Sequence, residues 1–316
     1  MPKIKLITID IDGTLYPEKG KVMDPDHIAG FQKAVRRFLE DPDAPVPVIC
    51  TGKPAAYVEG FAEAYGLVDA PKEKPMSHVC EAGAEVFVYN NWQHKRYIKL
   101  PDLFSKHDIK DKMRHIENLI KEKTRCTKEE GKSTSLSFNP PEGKSVQELY
   151  NEIREVIQDH LGYKVLGMEN VGMLSETVHE ITGMMKNNAS IEDIKKLVVK
   201  KEIDFFITHS STAVDISAFP TGKSLGIAYI ASIIQKVGFD EMMAIGDTAG
   251  DHPAFELAGI PVGVANSSQQ TAAFVKAKGG LITKRPSIQG VTDVLDLVYR
   301  YRNIEDIMRN KEDVFQ

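Results

Sequence analysis

Residues Lys3 to Leu15 read K-I-K-L-I-T-I-D-I-D-G-T-L, a short apolar run that stops in two aspartates and a glycine. Leu6, Ile7 and Ile9 are apolar and mostly β-branched, and the run is too short for a helix, so it is predicted as a central strand of a parallel sheet. Asp10 and Asp12 then stand at its carboxyl end, the edge of an open α/β sheet where ligands bind. Strand alternation points both to one side, with Ile11 between them. Two carboxylates so close need a cation, or one must hold a proton. A plain Asp12-Gly13 turn is the modest alternative. A calcium loop fails on spacing, because the obligatory sixth-position glycine counted from Asp10 would be Leu15. The remainder of the chain has to supply a phosphate-and-metal site if these carboxylates are more than a turn.

Composition sets the outer limits. The chain has 316 residues, 42% of them hydrophobic and 27% charged, with a net charge of −5. That is enough for one large or two ordinary domains with real cores. Mild acidity argues against a nucleic-acid partner or a membrane surface, either of which needs a dominant basic face. Cys50, Cys80 and Cys126 are widely spaced and form no C-x-x-C pair, so neither a disulfide framework nor a zinc site is expected. With no run near eighteen apolar residues and no cleavage signature, a cytoplasmic location is expected.

Taken in order, the chain alternates. Asp24-Pro25 opens a helical pattern with Ile28, Phe31, Val35, Phe38 and Leu39 on one face. Val46 to Cys50 reads as a strand ending in Thr51-Gly52-Lys53, and Ala55 to Tyr65 as a helix. A strand near His78 to Cys80 and a hairpin of Glu85 to Tyr89 and Lys95 to Leu100, turning at Asn90-Asn91, complete a doubly wound half-domain. From about Pro101 the texture changes. Helices are expected over Asp108–Lys123, Val146–Leu161 and Ile191–Lys201, with half-polar strands at Ser133–Phe138, Tyr163–Met168, Thr177–Ile181 and Phe205–Thr208, as in an antiparallel α+β unit over one sheet face. This insert is read as residues 101–211. Core texture resumes at Asp215–Ala218, followed by a helix over Ser224–Val237 and a strand over Met242–Ile245 ending in Gly246-Asp247. Beyond these come a helix over His252–Ala258, a strand over Ile260–Val264, a helix over Gln269–Lys276, a strand over Gly280–Thr283 and a closing helix over Ile288–Arg302. Glu312–Gln316 reads as a frayed tail. The fold class is therefore α/β: a Rossmann-like doubly wound parallel-sheet core (1–100 and 212–316) with an inserted α+β cap domain (101–211).

Four signals fall at strand ends or helix starts: Asp10-x-Asp12-Gly13-Thr14, Thr51-Gly52, Lys223, and G-D-T-A-G-D from Gly246 to Asp251. Each alone has a structural explanation as a turn, a strand end, a solvated lysine or an N-cap. In this order on alternating strands they can perform phosphoryl transfer through an aspartyl-phosphate. Asp10 would be the nucleophile, and Asp12 the acid for the leaving alcohol and then the base for water. Gly13 and Gly52 leave amides open to phosphate, while Thr51 and Lys223 bind its oxygens. Asp247 completes an oxygen-ligand site suited to Mg²⁺, with Asp251 one turn on as a ligand or a support. Lys186, in G-M-M-K, is a rival phosphate lysine, ranked lower because Lys223 introduces the helix leading into the Asp247 strand. His179 and Glu180 are read as ordinary polar positions of an exposed strand.

D-I-D-G-T-L, T-G, the lysine of P-T-G-K-S-L and G-D-T-A-G-D, with a long insert between the second and third, resemble the haloacid-dehalogenase superfamily of aspartate-nucleophile phosphatases. The place of the insert, and E-A-G-A-E-V before it, is similar to the Cof-like sugar phosphatases and sucrose-phosphatase relatives. The resemblance implies Asp10 as nucleophile, Asp12 as acid/base, Thr51 and Lys223 on phosphate, Asp247 on magnesium, and the Asp12 carbonyl as a further metal ligand. Gly250, Ala82 and Lys53 depart from it, since relatives carry asparagine, asparagine and arginine there. The expected partner is a small phosphorylated metabolite, a sugar phosphate or phosphoglycolate, met by a monomer or weak homo-oligomer. A phosphomutase that hands the phosphoryl group to a sugar hydroxyl and a non-catalytic phospho-ligand sensor remain the alternatives.

Overall fold

Residues 2–17, 22–68, 75–91, 94–210 and 212–316 are described by the computed structural model. The strand β1 (Leu6–Ile9) is fully buried and sits inside a parallel sheet. Chain order continues with α1 (Pro25–Glu40), β2 (Val46–Ile49), α2 (Ala55–Ala64), β3 (Met76–Cys80), β4 (Glu85–Asn91) and β5 (His94–Lys99). Asp24 caps α1 by accepting from the Asp26 amide, with Pro25 in the first turn, as the sequence signal requires. Next come α3 (Leu100–Phe104), α4 (Ile109–Thr124), β6 (Thr127–Lys128), β7 (Leu136–Asn139), α5 (Val146–Glu155), β8 (Val165–Leu166), α6 (Val171–Lys186), α7 (Ile191–Lys200), β9 (Phe205–His209) and β10 (Val214–Ala218). The chain closes with α8 (Lys223–Tyr229), β11 (Met242–Gly246), α9 (His252–Leu257), β12 (Ile260–Gly263), α10 (Gln269–Ala277), β13 (Leu281–Ile282), α11 (Ser287–Tyr301) and α12 (Ile304–Arg309).

The parallel sheet runs β13-β12-β11-β1-β2, with Ile9 opposite Ile245 on one side and Ile49 on the other. A parallel bridge between Cys50 and Val79 joins β3, which continues as the antiparallel ladder β3-β4-β5. A second sheet, β6-β7-β10-β9-β8, is antiparallel except where β8 meets β9. Its apolar face, with Phe138, Ile207, Val214 and Ile216, packs on Ile116, Ile120, Leu149 and Ile153 of α4 and α5 in a core of its own. Such a two-layer unit is what half-polar strands and amphipathic helices produce.

Several expectations are corrected. Thr177–Ile181 is helical, the middle of α6, because Leu174, Val178 and Ile181 form a helical stripe buried in the main core beside α8 and α9. Asp215–Ala218 is no core strand: β10 pairs with β7 and β9, so the second sheet extends to Ala218. The tail is not frayed, since Phe315 is buried, bridges Thr283, and is followed by the Gln316 amide donating to the Ile282 carbonyl. Asn90 and Asn91 belong to β4, and the residues between Asn91 and His94 lie outside the described residues, as do part of the polar turn after Leu15 and Ser211 at the expected end of the insert. Helix-like turns continue past α5 and α8 through His160 and Gln235 in wide, π-type form. Among the described residues no helix is long and apolar enough to cross a membrane.

Candidate active site

β1 and β11 lie side by side and end together, which brings Asp10 and Asp247 to one point from opposite ends of the chain. The Asp10 amide donates to the Ile245 carbonyl, extending the ladder to Asp10 itself. Lys223, the first residue of α8, reaches in from the side: its Nζ donates to Asp10 Oδ1 at 2.7 Å and to Asp251 Oδ1 at 2.6 Å. All four side chains are buried. Lys186, by contrast, ends α6 with its Nζ 5.9 Å from the Phe239 ring centre, outside the cluster. His179 donates Nδ1–H to the Ser175 carbonyl at 2.8 Å and Glu180 pairs with Lys201, both on α6 rather than on a strand.

Asp251 holds this corner together. Its Oδ2 accepts from the amides of Asp247 at 3.0 Å and Thr248 at 3.1 Å, so both its oxygens are engaged. Gly246 makes this possible, because a Cβ there would stand 2.4 Å from Asp251 Cγ. Gly13, at φ +81°, is required twice over: only glycine adopts that conformation cheaply, and a Cβ would meet Asp247 Oδ2 at 2.0 Å. Thr14 Oγ1 donates to Asp247 Oδ1 at 3.0 Å. The Gly13 carbonyl is held by Asn266 Nδ2 at 2.8 Å and Ser287 Oγ at 3.0 Å. Thr51 is fully buried at the end of β2, its hydroxyl accepting from the Lys53 amide at 3.3 Å, and Gly52 beside it lines the cleft. Asp12 is half exposed in the same cleft and pairs with Lys53 at 3.3 Å.

Burial, with the nearby Asp251 and Asp12 charges, lifts the Asp10 carboxyl to about 7 despite the opposing pull of Lys223. Asp247 is lifted to about 9 by burial and by Asp251 and Asp10. Burial disfavours the charge of Lys223, yet Asp10 and Asp251 outweigh it and hold its pKa well above the ordinary lysine value. Asp10, Asp247 and Asp251 offer oxygens within 4.8 Å of one another. Three buried carboxylates against one ammonium leave the cluster short of positive charge, which fits a divalent cation. Asp10 and Asp247 each keep one oxygen without a hydrogen bond among the described residues, whereas both oxygens of Asp251 accept hydrogen bonds.

Several residues here were missed from sequence. Lys132, from the loop before β7, is buried and pairs with Asp215 of β10 at 2.6 Å and Glu129 at 3.3 Å. Burial opposes its charge, but Asp215 and Glu129 raise its pKa overall. Glu129 also approaches Lys53 at 4.0 Å, so charges alternate from Asp12 across the cleft to Asp215. Asn266, in V-A-N-S-S after β12, carried a detectable signal as a polar loop at a parallel-strand end. The others carried none, because they reach the cleft only through strand pairing.

A profile of the haloacid dehalogenase-like hydrolases matches residues 7–295. A phosphoglycolate phosphatase of Methanosarcina mazei is 23% identical over 127 residues, 40% of this chain and 53% of the relative, so the chain spans about half the length of that relative. Among solved structures, the sucrose-phosphatase of Synechocystis sp. PCC6803 superposes with a TM-score of 0.56 at 13% identity, covering 95% of this chain and 98% of its own. The C-terminal domain of C. albicans trehalose-6-phosphate phosphatase gives 0.54 at 17% identity, covering 94% and 92%. These two share its fold. The family profile extends over nearly all of the parallel sheet and everything inserted in it, and the chain belongs to the haloacid dehalogenase-like hydrolase family.

Proposed function

We propose that the protein is a Mg²⁺-dependent phosphomonoester hydrolase acting through an aspartyl-phosphate on a small phosphorylated metabolite. The observation that carries this is Lys223 joining Asp10 to Asp251 where β1 and β11 end beneath a cleft roofed by the second sheet. The free oxygen of Asp10 attacks phosphorus while Lys223 holds the other oxygen and neutralises the incoming phosphoryl group. The P–O bond to the leaving alcohol breaks, and Asp12 supplies the proton that the alkoxide takes. Asp12, now a carboxylate, accepts a proton from water as that water attacks phosphorus, releasing inorganic phosphate and restoring Asp10. Asp12 lies half exposed at the cleft beside Lys53, open to both the leaving group and water. A magnesium ion held by Asp10 and Asp247 would shield the phosphate from these carboxylates. Gly13 and Gly52 present amides to the phosphoryl oxygens, with Thr51 behind them.

In this reading the second sheet with α4 and α5 is the cap, and α6 and α7 belong with the catalytic core. The names of the relatives agree with the reaction type. The test is release of inorganic phosphate from a panel of phosphomonoesters with and without Mg²⁺, together with acid-quench trapping of a phosphoenzyme. Metal-dependent turnover with label on Asp10 is expected, and no turnover on any ester with Mg²⁺ present would overturn the reading.

A further inference from the structure

The roof of the cleft carries a row of polar side chains. Along β7, β9 and β10 the apolar residues face α4 and α5, so the alternate positions face the other way, toward Asp10. Asp215 stands opposite Ser137 on one neighbour and opposite Thr208 on the other, so three adjacent strands present Ser137, Asp215 and Thr208 side by side. All three line the cleft that holds Asp10, Asp12 and Lys223. The row lies close over the phosphate loops: a Cβ on Gly52 would be 3.7 Å from Asp215 Oδ2, and one on Gly250 3.9 Å from Thr208 Oγ1. Ser137 is 0% exposed and Thr208 5%, and neither hydroxyl has a hydrogen-bond partner among the described residues. Buried hydroxyls are left unpaired at a cost, so two of them on one wall beside a carboxylate mark a place where something else completes the bonds.

Charge restricts what that something is. Among the described residues around the leaving-group side, Asp12, Glu129 and Asp215 face Lys53 and Lys132, and both lysines are already paired. His209, at the end of β9, donates its Nδ1–H to the Ser210 carbonyl at 3.2 Å. A second anionic group on the substrate meets three carboxylates whose two lysine partners are already engaged. A hydroxyl meets an acceptor in Asp215 and donor–acceptor partners in Ser137 and Thr208.

We propose that Ser137, Asp215 and Thr208 form a hydroxyl-reading row that selects phosphate esters of neutral polyols or sugars and rejects esters whose leaving group carries a carboxylate. This rests on the hydrolase reading above for its chemistry, but the row itself is a binding site. A site built to pair hydroxyls discriminates strongly against analogues lacking them, because its own polar groups are then stranded.

The test compares glycerol 1-phosphate, ribose 5-phosphate, phosphoglycolate and phenyl phosphate at fixed Mg²⁺. The polyol and sugar esters are expected to exceed phosphoglycolate and phenyl phosphate in kcat/KM by about tenfold or more. In the double variant Ser137→Ala with Thr208→Ala, the ratio of glycerol 1-phosphate to phenyl phosphate should fall by about tenfold, as two lost hydrogen bonds require. In Asp215→Asn the ratio of glycerol 1-phosphate to phosphoglycolate should fall by a similar factor, because a repelling charge is gone. A wild-type preference for phosphoglycolate, or ratios unmoved in the variants, overturns the proposal. Calorimetric binding of the same four esters to Asp10→Asn, which lacks the nucleophile, separates the row from the chemistry. Absent turnover with the same ranking in Kd would sink the hydrolase reading and leave the row standing; a ranking led by phosphoglycolate or phenyl phosphate would sink the row. Should Asp215→Asn fail to fold for want of its Lys132 pair, the alanine variants still decide, since they remove hydroxyls that bond to none of the described residues.

Discussion

At the scale of single residues the candidate site separates by what each carboxylate can still bind. Asp10 keeps one oxygen free, so Asp10→Asn should cut turnover by about a thousandfold or more while the thermal midpoint stays near that of the wild type. Near-normal turnover in that variant would falsify the covalent route. Asp247 and Asp251 are distinguishable by metal titration. Asp247→Ala removes a proposed metal ligand, and its lost activity should be partly restored at high Mg²⁺. Asp251→Ala instead releases Lys223 and the Asp247 and Thr248 amides, so added metal should restore nothing; recovery there would make Asp251 a ligand after all. His78 gives a prediction about pH. Its ring is fully buried, with Nδ1 accepting from the Ile49 amide at 3.1 Å and Nε2–H donating to the Leu67 carbonyl at 2.9 Å. Burial lowers its pKa to about 4. A depressed histidine costs nothing above its unfolded value near 6.5, but below that the unfolded chain takes up a proton that the native state refuses. Unfolding free energy should therefore drop by about 2 kcal/mol from this residue between pH 6.5 and pH 5. Urea titrations of wild type and His78→Gln at both pH values check it, and equal pH slopes would refute it.

At the scale of elements, the join between the two sheets rests on a carboxylate in a cup of amides and hydroxyls. Glu81, in the turn after β3, accepts from the amides of Ser133, Thr134 and Ser135 at 2.6, 2.7 and 3.0 Å, and from the Thr134 hydroxyl at 2.6 Å. It does so from φ +47°, a conformation that costs energy in a glutamate and is maintained only where surroundings repay it. These residues lead directly into β7, whose Ser137 belongs to the roof of the cleft. Glu81→Ala should lower stability by about 1–3 kcal/mol, the cost of stranding such donors. Amide exchange at residues 133–135 should accelerate with it, and KM should rise more than kcat falls, because the roof is misplaced while the nucleophile is not. Unchanged exchange there would mean that the turn is held by other contacts.

For the whole molecule, the insert is not a detachable lid. Leu174, Val178, Ile181, Ile194 and Val198 are all buried in the main core, so α6 and α7 close the parallel sheet's own helical layer. Burial of five such side chains contributes on the order of 10 kcal/mol, comparable with the entire stability of an ordinary domain. Deletion of residues 101–211 should therefore give a chain without a cooperative thermal transition. A truncated protein that unfolds cooperatively with native near-ultraviolet dichroism would disprove this.

What the sequence determined by itself was local: apolar runs broken by Asp10 and by Gly246-Asp247, the lysine opening α8, and the alternation of strands and helices around them. Those positions are readable because a short buried strand and the loop at its end are set by neighbours in the chain. Val178 and Ile181 misled because a β-branched run suits either element, and only packing against α8 and α9 made it a helix. Val214–Ala218 misled because an apolar run does not say which sheet it joins. Pairing with Leu136–Phe138 and Phe205–His209 decided that, and the same pairing decided which of their alternate side chains share a row above Asp10. Register between strands far apart in the chain is a property of the packed whole, since it is set by which face can be buried against which.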